Sequence, residues 1–335
     1  MKAVRLNELG GPEKLHVEDI PDPKPAPGEI LVNVKRAAIN RRDVFITQGL
    51  YPGIELPKTL GSDACGTVAA FGEGAKGPGQ GTRVVIDPTM NWGDDERVWR
   101  RDGGVLGMPR EGTFAEYVVV PAQNVHAAPE HLSDEEAAAM PLAGLTAYRA
   151  CFSRGEMTKD DVVLITGVGG GVQTFVLLYA KALGATAIVT SGSDEKLGRA
   201  KAMGADVCIN YKTAENWSKA VRDASSGGPT LVVDSVGGET LSKAIDIARS
   251  AARVVVYGGT TGDAKIRPFS IFWKQLDIRG TSMGSPDDFQ HMLRFFSKHK
   301  LRPAVDEVVP MSEIAAAAAR VAGHDQFGKV VLAVT

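Results

Sequence analysis

The sequence has almost no excess of charge of either sign and very little cysteine. Its 38 Lys and Arg residues face 40 Asp and Glu, for a formal net charge of −2. Without a basic field, the chain has no general attraction for a nucleic-acid backbone, which argues against nucleic acid as a main partner. The three cysteines, Cys65, Cys151 and Cys208, form neither a disulfide framework nor a short metal-binding motif. We therefore expect a reducing compartment.

Long apolar runs are also missing. No stretch of about 18 apolar residues occurs, and the N-terminal segment MKAVRLNELG has no apolar signal core. These absences predict a soluble, cytoplasmic protein with no membrane partner. The chain does have 335 residues with 44% hydrophobic content, which is enough for two ordinary cores. Two domains are therefore expected.

The pattern of the chain changes near residue 120. Before it, short alternating strands such as residues 29–35 are separated by Gly and Pro, which predicts an antiparallel β-rich region. After it, an Ala-rich helix over residues 133–152, with Ser133 as N-cap, leads into buried strands that alternate with amphipathic helices. This alternation predicts an α/β fold with a doubly wound parallel sheet. The tail, with a helix capped by Ser312, is expected to rejoin the β-rich domain.

The domain prediction follows from this change of pattern. Residues 1–121 and 299–335 are assigned to the β-rich domain, and residues 122–298 to the doubly wound domain. No internal repeat or low-complexity segment is evident.

A glycine-rich turn, GVGGGVQ, follows the strand DVVLIT of the second domain. Glycine allows a tight turn from strand into helix and lets backbone N–H groups approach a pyrophosphate at the helix N-terminus. Gln173 departs from the pattern, because a third glycine often occupies that position and allows close helix–strand packing. We predict a dinucleotide site at this turn. Its predicted contacts are Gly169, Gly170, Gly171 and Val172.

The second strand of this domain lacks the acid that NAD usually requires at the ribose. The strand ends IVTSGS, and the first acid, Asp194, lies in a helical turn where it stabilises the helix dipole. Lys196 and Tyr211 are expected near the ends of neighbouring strands, where a cation and a phenol suit a 2′-phosphate. The pattern favours NADPH over NADH, with NADH as the alternative. The predicted contacts at this end are Ser191, Gly192, Lys196 and Tyr211.

Together these segments resemble the medium-chain dehydrogenase/reductase superfamily over essentially the whole chain. The segments that carry the resemblance include PAPGEILVNVKRAAINRRD, GTFAEYVVVP, ITGVGGGVQTFVLLYAKALGA and FGKVVLAV. It implies a GroES-like β-rich catalytic domain followed by a doubly wound parallel Rossmann domain, and within the superfamily the chain looks like the zinc-free quinone oxidoreductase-like members. The resemblance also implies a homodimer, with the strand around residues 278–283 extending the sheet across the two-fold axis.

Whether the enzyme uses zinc depends on three positions at which the zinc-dependent members of this superfamily have metal ligands. A zinc alcohol dehydrogenase has Cys, His and Cys at or near the positions of Asn40, Ser62 and Leu142. Zinc needs thiolate, imidazole or carboxylate donors, and an amide, a hydroxyl and an alkyl chain do not replace them. The segment that corresponds to the four-cysteine structural lobe contains no cysteine. We therefore predict an enzyme without zinc.

The resemblance also assigns site residues. It places Asn40 beside the nicotinamide, and Arg41 and Arg42 near the cofactor phosphates or the rim of the cleft, with a solvated charged turn as the alternative for the two arginines. Tyr51 matches the tyrosine that zinc-free enoyl reductases use as proton donor, with an aromatic wall residue as the alternative. Asn40 and Tyr51 are the predicted catalytic residues. Besides Arg41, the remaining predicted cofactor contacts are Thr146, Tyr257, Gly258, Gly259, Ser282, Met283 and Lys329. Helix packing is the alternative for Thr146. Lys329 could reach the pyrophosphate from the other domain, with a solvated lysine as the equal alternative.

These features predict the chemistry. Without a Lewis acid, a substrate that spreads the incoming charge over a conjugated system is favoured over a simple ketone. We predict an NADPH-dependent oxidoreductase that transfers hydride to a quinone or an α,β-unsaturated carbonyl, with a small quinone, enone or aldehyde as its partner. The alternatives are an alcohol or sugar dehydrogenase of the same superfamily and a non-catalytic NADPH-binding protein.

Overall fold

The computed structural model describes residues 1–334, so that Thr335, the last residue of the predicted β-rich domain, lies outside the described residues. The strands alternate with helices after residue 160, as predicted. In chain order the strands are β1 (Lys2–Leu6), β2 (Leu15–Asp19), β3 (Glu29–Ala38), β4 (Lys58–Thr59), β5 (Asp63–Phe71), β6 (Arg83–Ile86), β7 (Thr89–Met90), β8 (Gly104–Val105), β9 (Tyr117–Pro121), β10 (Val125–Ala127), β11 (Val162–Ile165), β12 (Thr186–Ser191), β13 (Val207–Asn210), β14 (Leu231–Asp234), β15 (Arg253–Val256), β16 (Asp277–Gly280), β17 (Val305–Pro310) and β18 (Lys329–Ala333).

The helices are mostly short, and none of those described is both long and apolar enough to cross a membrane. In chain order they are α1 (Arg41–Thr47), α2 (Asp134–Ala139), α3 (Pro141–Tyr148), α4 (Gly171–Leu183), α5 (Asp194–Ala202), α6 (Trp217–Ala224), α7 (Gly238–Ile247), α8 (Pro268–Lys274), α9 (Pro286–His299) and α10 (Ile314–Ala322).

The chain forms two compact units. Unit 1 comprises Met1–Ala143 and Gly284–Thr335, and unit 2 comprises Gly144–Met283. Both boundaries lie inside the segment predicted for the second domain, so α2 and α9 are part of unit 1. The physical reason is packing: α2 lies against β3 and β5, and the ring of Phe289 in α9 lies 5.1 Å from the ring of His126 in β10.

Unit 2 contains a six-stranded sheet with strand order β13-β12-β11-β14-β15-β16, and every adjacent pair is parallel. This order confirms the doubly wound arrangement, in which the chain starts at the centre of the sheet and winds outward in both directions. The central strands consist almost entirely of buried Val, Leu and Ile, because helices cover both faces. The turn after β11 is therefore at the switch point of the sheet, where doubly wound folds bind their ligands.

The largest sheet of unit 1 has strand order β10-β6-β5-β3-β18-β17, and β9 also pairs with β3. Ile30, Val32 and Val34 alternate along β3 and enter the core. Because β3 runs antiparallel to both β5 and β18, Ala38 lies opposite Asp63 on one side and Val331 on the other. The end of β3 and the beginnings of β5 and β18 therefore meet at one end of this sheet.

Two helix predictions need correction. The single helix predicted over residues 133–152 is broken, because Pro141 has no N–H to continue the ladder of α2 and instead begins α3. Ser133 is confirmed as the N-cap of α2, since its Oγ accepts the N–H of Glu136. Ser312 is not a cap: it lies within a short 3₁₀ turn, and α10 begins after Glu313.

Candidate active site

The junction between β3 and α1 is an ordered, buried turn. Asn40 has extended backbone angles (φ −116°, ψ 156°), and the helix begins at the next residue. The carboxylate of Asp43 accepts the Asn40 N–H at 2.8 Å, and the Asn40 carbonyl accepts the Asp43 N–H at 3.0 Å. This reciprocal pair satisfies donors that the first turn of a helix otherwise leaves free. Arg42 is 9% exposed, so the solvated-turn alternative is wrong for this residue.

A buried lysine binds the Asn40 side chain. Lys329, at the start of β18, is 3% exposed, and its Nζ donates to Asn40 Oδ1 and to Asp63 Oδ2, the latter at 2.9 Å. Asp63 is fully buried and also accepts from Asn40 Nδ2 at 2.9 Å and from the Leu142 N–H at 2.7 Å. Both ends of the Asn40 amide are therefore engaged within unit 1. The predicted contact of Lys329 with a cofactor pyrophosphate stays a prediction.

Asp43 is a second buried acid beside this cluster. One of its oxygens, Oδ1, has no hydrogen-bond partner among the described residues, and the nearest cation, Arg42 Nη1, lies 3.9 Å away. Burial raises the pKa of Asp43 to about 6, and the charge of Arg42 opposes this rise. The carboxyl group therefore binds a proton more tightly than an exposed aspartic acid does.

Arg42 links the predicted proton donor to the core. Its Nη1 donates to Ser62 Oγ and to the Leu106 carbonyl, both at 2.9 Å, and Ser62 Oγ donates to the same carbonyl at 2.8 Å. The Arg42 guanidinium carbon lies 4.8 Å from the centre of the Tyr51 ring, within the range of a cation–π contact. Tyr51 is thus placed next to Arg42.

Arg41 has a structural role in unit 1. Its Nη1 donates to the carbonyls of Val321 and Ala322 at 2.7 and 2.8 Å, at the C-terminus of α10. A cation is favourable there because the last carbonyls of a helix lack partners. Burial lowers the pKa of Arg41. The predicted contact of Arg41 with cofactor phosphates stays a prediction.

The three positions at which a zinc alcohol dehydrogenase has its ligands do not fit zinc here. Asn40 and Ser62 are hydrogen-bonded to the cations of Lys329 and Arg42, and Leu142, whose side chain has no donor atom for zinc, gives its backbone N–H to Asp63. The oxygens of the Asn40 and Ser62 side chains already accept hydrogen bonds, and neither is a donor that zinc prefers. Within residues 1–334, no three His, Cys, Asp or Glu side chains come together in a way that would hold a metal ion.

The glycine turn of unit 2 has the geometry of a phosphate cradle. Gly169 has φ +134°, a conformation that favours glycine, and a Cβ there would lie 2.8 Å from Cδ of Lys196. The N–H groups of Gly167 and Val168 are held by Thr190 at the end of β12. Gly170 caps α4 without a side chain, so the first N–H groups of the helix have no side-chain partner. Such a helix N-terminus is suited to an anion.

Gln173 occupies the position at which a third glycine is often found. Its Nε2 donates to Ser235 Oγ at 2.7 Å, beyond the end of β14, and a Cβ on Gly170 would lie 2.5 Å from its Oε1. The side chain therefore fastens the first turn of α4 to the neighbouring strand. The hydrogen bond replaces the close helix–strand approach that glycine would allow.

Lys196 and Tyr211, which were predicted contacts, lie near the end of β12 together with Lys212, which was not predicted. A Cβ on Gly192 would lie 2.8 Å from the Tyr211 hydroxyl and 2.7 Å from Cε of Lys212. Lys196 follows in the first turn of α5, where its N–H donates to Ser193 Oγ. The nearby acid, Asp194, accepts from Asn210 Nδ2 at 2.7 Å. Two lysines and a phenol are therefore near the strand end, while the acid is already paired.

The remaining predicted contacts lie on three segments of unit 2. Thr146 is buried in α3, and Tyr257 follows β15, where burial raises the pKa of its phenol. Met283 is buried with φ +54°, and Ser282 before it is exposed. Gly258 and Gly259 form the exposed turn after Tyr257. The contacts of all these residues with a cofactor stay predictions.

Two residues of the site, Asp63 and Lys212, were missed by sequence analysis. Asp63 was not singled out, although it follows Ser62 directly, and only the pairing of β3 with β5 shows that it lies beside Asn40. Arg42 was placed near the cofactor phosphates or the rim of the cleft, but without a specific partner. Lys212 follows Tyr211 in the sequence, and that adjacency is a signal that was available.

The fold and the two sites define a class: an α/β enzyme with a β-rich catalytic unit and a doubly wound nucleotide-binding unit. A family model described as the alcohol dehydrogenase GroES-like domain matches residues 26–130, and one described as zinc-binding dehydrogenase matches residues 171–298. A solved structure of an NAD-dependent alcohol dehydrogenase is 38% identical, has a TM-score of 0.94 and covers 100% of both chains.

Full-length relatives agree with the domain matches. A zinc-type alcohol dehydrogenase-like protein of Schizosaccharomyces pombe is 36% identical and covers 99% of both chains. An acryloyl-coenzyme A reductase of Sulfurisphaera tokodaii is 29% identical over 99% of both chains, and the quinone oxidoreductase of Homo sapiens is 27% identical over 99% of this chain and 97% of its own. The chain belongs to the medium-chain dehydrogenase/reductase superfamily, and it is an oxidoreductase.

Proposed function

We propose that this enzyme transfers hydride from NADPH to a quinone or an α,β-unsaturated carbonyl compound without zinc. The observation that carries the proposal is the buried cluster at the end of β3. There the ammonium of Lys329 binds Asn40, and the guanidinium of Arg42 binds Ser62, at the positions of zinc ligands. An amide and a hydroxyl are poor zinc donors, and both oxygens already accept hydrogen bonds from these cations.

This cluster favours conjugated acceptors. Hydride addition to a simple carbonyl places a full charge on one oxygen, which needs a Lewis acid or several positioned donors. Addition to a quinone or an enone spreads the electron pair over the conjugated system. Relatives named acryloyl-coenzyme A reductase and quinone oxidoreductase support this substrate class.

The cofactor site is proposed in unit 2. The backbone N–H groups of Gly169 to Gly171 and the N-terminus of α4 would hold the pyrophosphate. Lys196, Tyr211 and Lys212 would surround a 2′-phosphate near Gly192, which favours NADPH over NADH. When bound, NADPH supplies the hydride.

The proton is proposed to come from Tyr51. After hydride addition to an enone, the electron pair resides on the enolate oxygen and the α-carbon, and one proton completes the reduction. The Tyr51 phenol is the acid of unit 1 that lies on the Arg42 guanidinium. Asn40 contributes indirectly, because its amide is fully engaged in holding Lys329 and Asp63.

A homodimer is proposed through unit 2. β16 is an edge strand, and unpaired edges tend to add a further strand. Next to it in sequence, α8 exposes Phe269, Phe272 and Trp273 by 59%, 62% and 70%. A second copy would pair its own β16 antiparallel to this edge and cover the aromatic side chains. Light scattering should report a dimer for the wild type and a monomer for Phe272→Glu/Trp273→Glu, whereas a dimer in both would contradict this interface.

The function is tested by NADPH oxidation with a panel of quinones, enones and aldehydes and by reduction of NADP+ and NAD+ with alcohols and sugars, beside elemental analysis for zinc. We expect turnover of conjugated acceptors, no effect of a chelator and less than stoichiometric zinc. Loss of activity on alcohols or sugars after chelation would indicate a zinc dehydrogenase instead. Binding of NADPH without turnover of any acceptor would indicate a non-catalytic role.

A further inference from the structure

Arg42 is held in the core far more tightly than its place in a charged turn suggests. It is 9% exposed, and Nη1 makes two hydrogen bonds of 2.9 Å, to Ser62 Oγ and to the carbonyl of Leu106. Ser62 is itself tied to that carbonyl at 2.8 Å. Because a guanidinium is planar and its donors have a fixed geometry, these contacts set the plane of the group.

The ring that lies on this plane belongs to a loop residue. Tyr51 follows Gly49 (φ +75°) and precedes Gly53 (φ +66°), and Leu50 between them is 67% exposed. A loop flanked by two such glycines does not by itself hold an aromatic ring in place. The ring packs against the hydrophobic core of unit 1, and the cation that lies on its face is the Arg42 guanidinium, whose carbon is 4.8 Å from the ring centre.

We propose that Arg42 is a positioning residue for Tyr51: it holds the phenol where the proton is transferred. The proposal rests on the function proposed above, because it gives Arg42 a role in the reaction only if Tyr51 is the acid. It differs from a purely structural role for Arg42, in which its loss would disturb the core regardless of the hydroxyl of Tyr51.

A double-mutant cycle separates these roles. Arg42→Met keeps the aliphatic stem and removes the guanidinium, and Tyr51→Phe keeps the ring and removes the hydroxyl. We expect each single change to lower kcat for an enone about 100-fold, because a misplaced acid is almost as ineffective as a missing one. In the Tyr51→Phe background, Arg42→Met should lower kcat by less than about 2-fold. An equal loss in both backgrounds would overturn the proposal.

Two further variants serve as controls: a conservative change of Arg42 and the removal of an exposed arginine elsewhere. Arg42→Lys keeps a charge but loses the fixed guanidinium plane, so we expect only partial recovery of kcat relative to Arg42→Met. Full recovery would show that charge alone matters and would overturn positioning. Arg97→Met removes an arginine that is 84% exposed and paired with Asp95, and it should leave kcat unchanged.

A second measurement needs no substrate. In protein labelled with 3-fluorotyrosine, the fluorine resonance that Tyr51→Phe removes reports the ring of Tyr51. Arg42→Met should shift and broaden it, whereas Arg97→Met should not. An unmoved resonance in folded Arg42→Met protein would overturn the proposal. If Tyr51→Phe reduces enones as fast as the wild type does, Tyr51 is not the acid. The fluorine signal then still decides whether Arg42 holds the ring of Tyr51.

Discussion

The polar cluster of unit 1 and the glycine turn of unit 2 are two candidate sites that are built in opposite ways. In unit 1 the side chains of Asn40, Asp63 and Lys329 are at most 6% exposed and are bonded to one another. In unit 2 the central positions have no side chain, and the polar groups around them, Lys196 and Tyr211, are partly exposed. Changes in the first region should therefore cost folding, and changes in the second should cost binding.

The largest effect is expected from removing the buried cation. Lys329→Met leaves the carboxylate of Asp63 buried without its charge partner, which should lower the free energy of unfolding by about 3–5 kcal/mol. Urea denaturation measures this loss. Lys219→Met, which removes an exposed ion pair, should cost less than about 1 kcal/mol. If the two variants unfold at the same urea concentration, the buried cluster is not a stabilising element.

Asp43 offers a pH-dependent test of the same cluster. Its pKa is raised by burial to about 6 in the folded protein, so the folded state holds the proton more tightly than the unfolded state. The stability that this proton contributes is fully present below about pH 4 and is lost as the pH rises through about 6. Asp43→Asn keeps an acceptor for the Asn40 N–H and serves as the reference. Relative to this variant, the free energy of unfolding of the wild type should fall by about 2 kcal/mol over this pH range. A constant difference between pH 4 and 7 would contradict the raised pKa.

In unit 2 the expected loss is in affinity. Lys196→Ala together with Tyr211→Phe should raise the Kd for NADPH about 30-fold and leave that for NADH within about 2-fold, because only NADPH carries the 2′-phosphate. Fluorescence titration measures the Kd values for both cofactors. The unfolding midpoint of the double variant should equal that of the wild type. Equal losses for the two cofactors would contradict the assignment of this subsite.

The smallest effect is expected at the turn itself. Gly169→Ala places a Cβ at φ +134°, close to Lys196, and should raise the Kd of both cofactors by about 10-fold. Gly198→Ala is the matched control, since its Cβ meets nothing within 4 Å and lies inside α5. Alanine there should leave both Kd values unchanged and slightly stabilise the helix. Unchanged Kd values for both cofactors in Gly169→Ala would contradict a pyrophosphate site at this turn, whereas an additional loss for NADPH alone would reflect displacement of the Lys196 side chain.

Local sequence pattern predicted the strands and helices of unit 2 but could not predict contacts between residues that are distant in the sequence. The strand–helix units of unit 2 were predictable, because buried strands and amphipathic helices have distinct periods along the chain. The break at Pro141 was missed, although proline marks it, because the Ala-rich segment on both sides favours helix. The contacts of Arg41 with α10 and of Arg42 with Ser62 could not be predicted, since each joins residues that are distant in sequence.

By itself, the sequence determined the order of strands and helices, the glycine turn at the centre of the parallel sheet, and the absence of thiolate and imidazole donors at three positions. These follow from residue type and local spacing. Only the tertiary structure decided that Asn40 binds Lys329, 289 residues away, and that both share Asp63. The reason is that β3 pairs with β5 and β18 in an antiparallel sheet, and the register of such pairing depends on the packing of the whole unit.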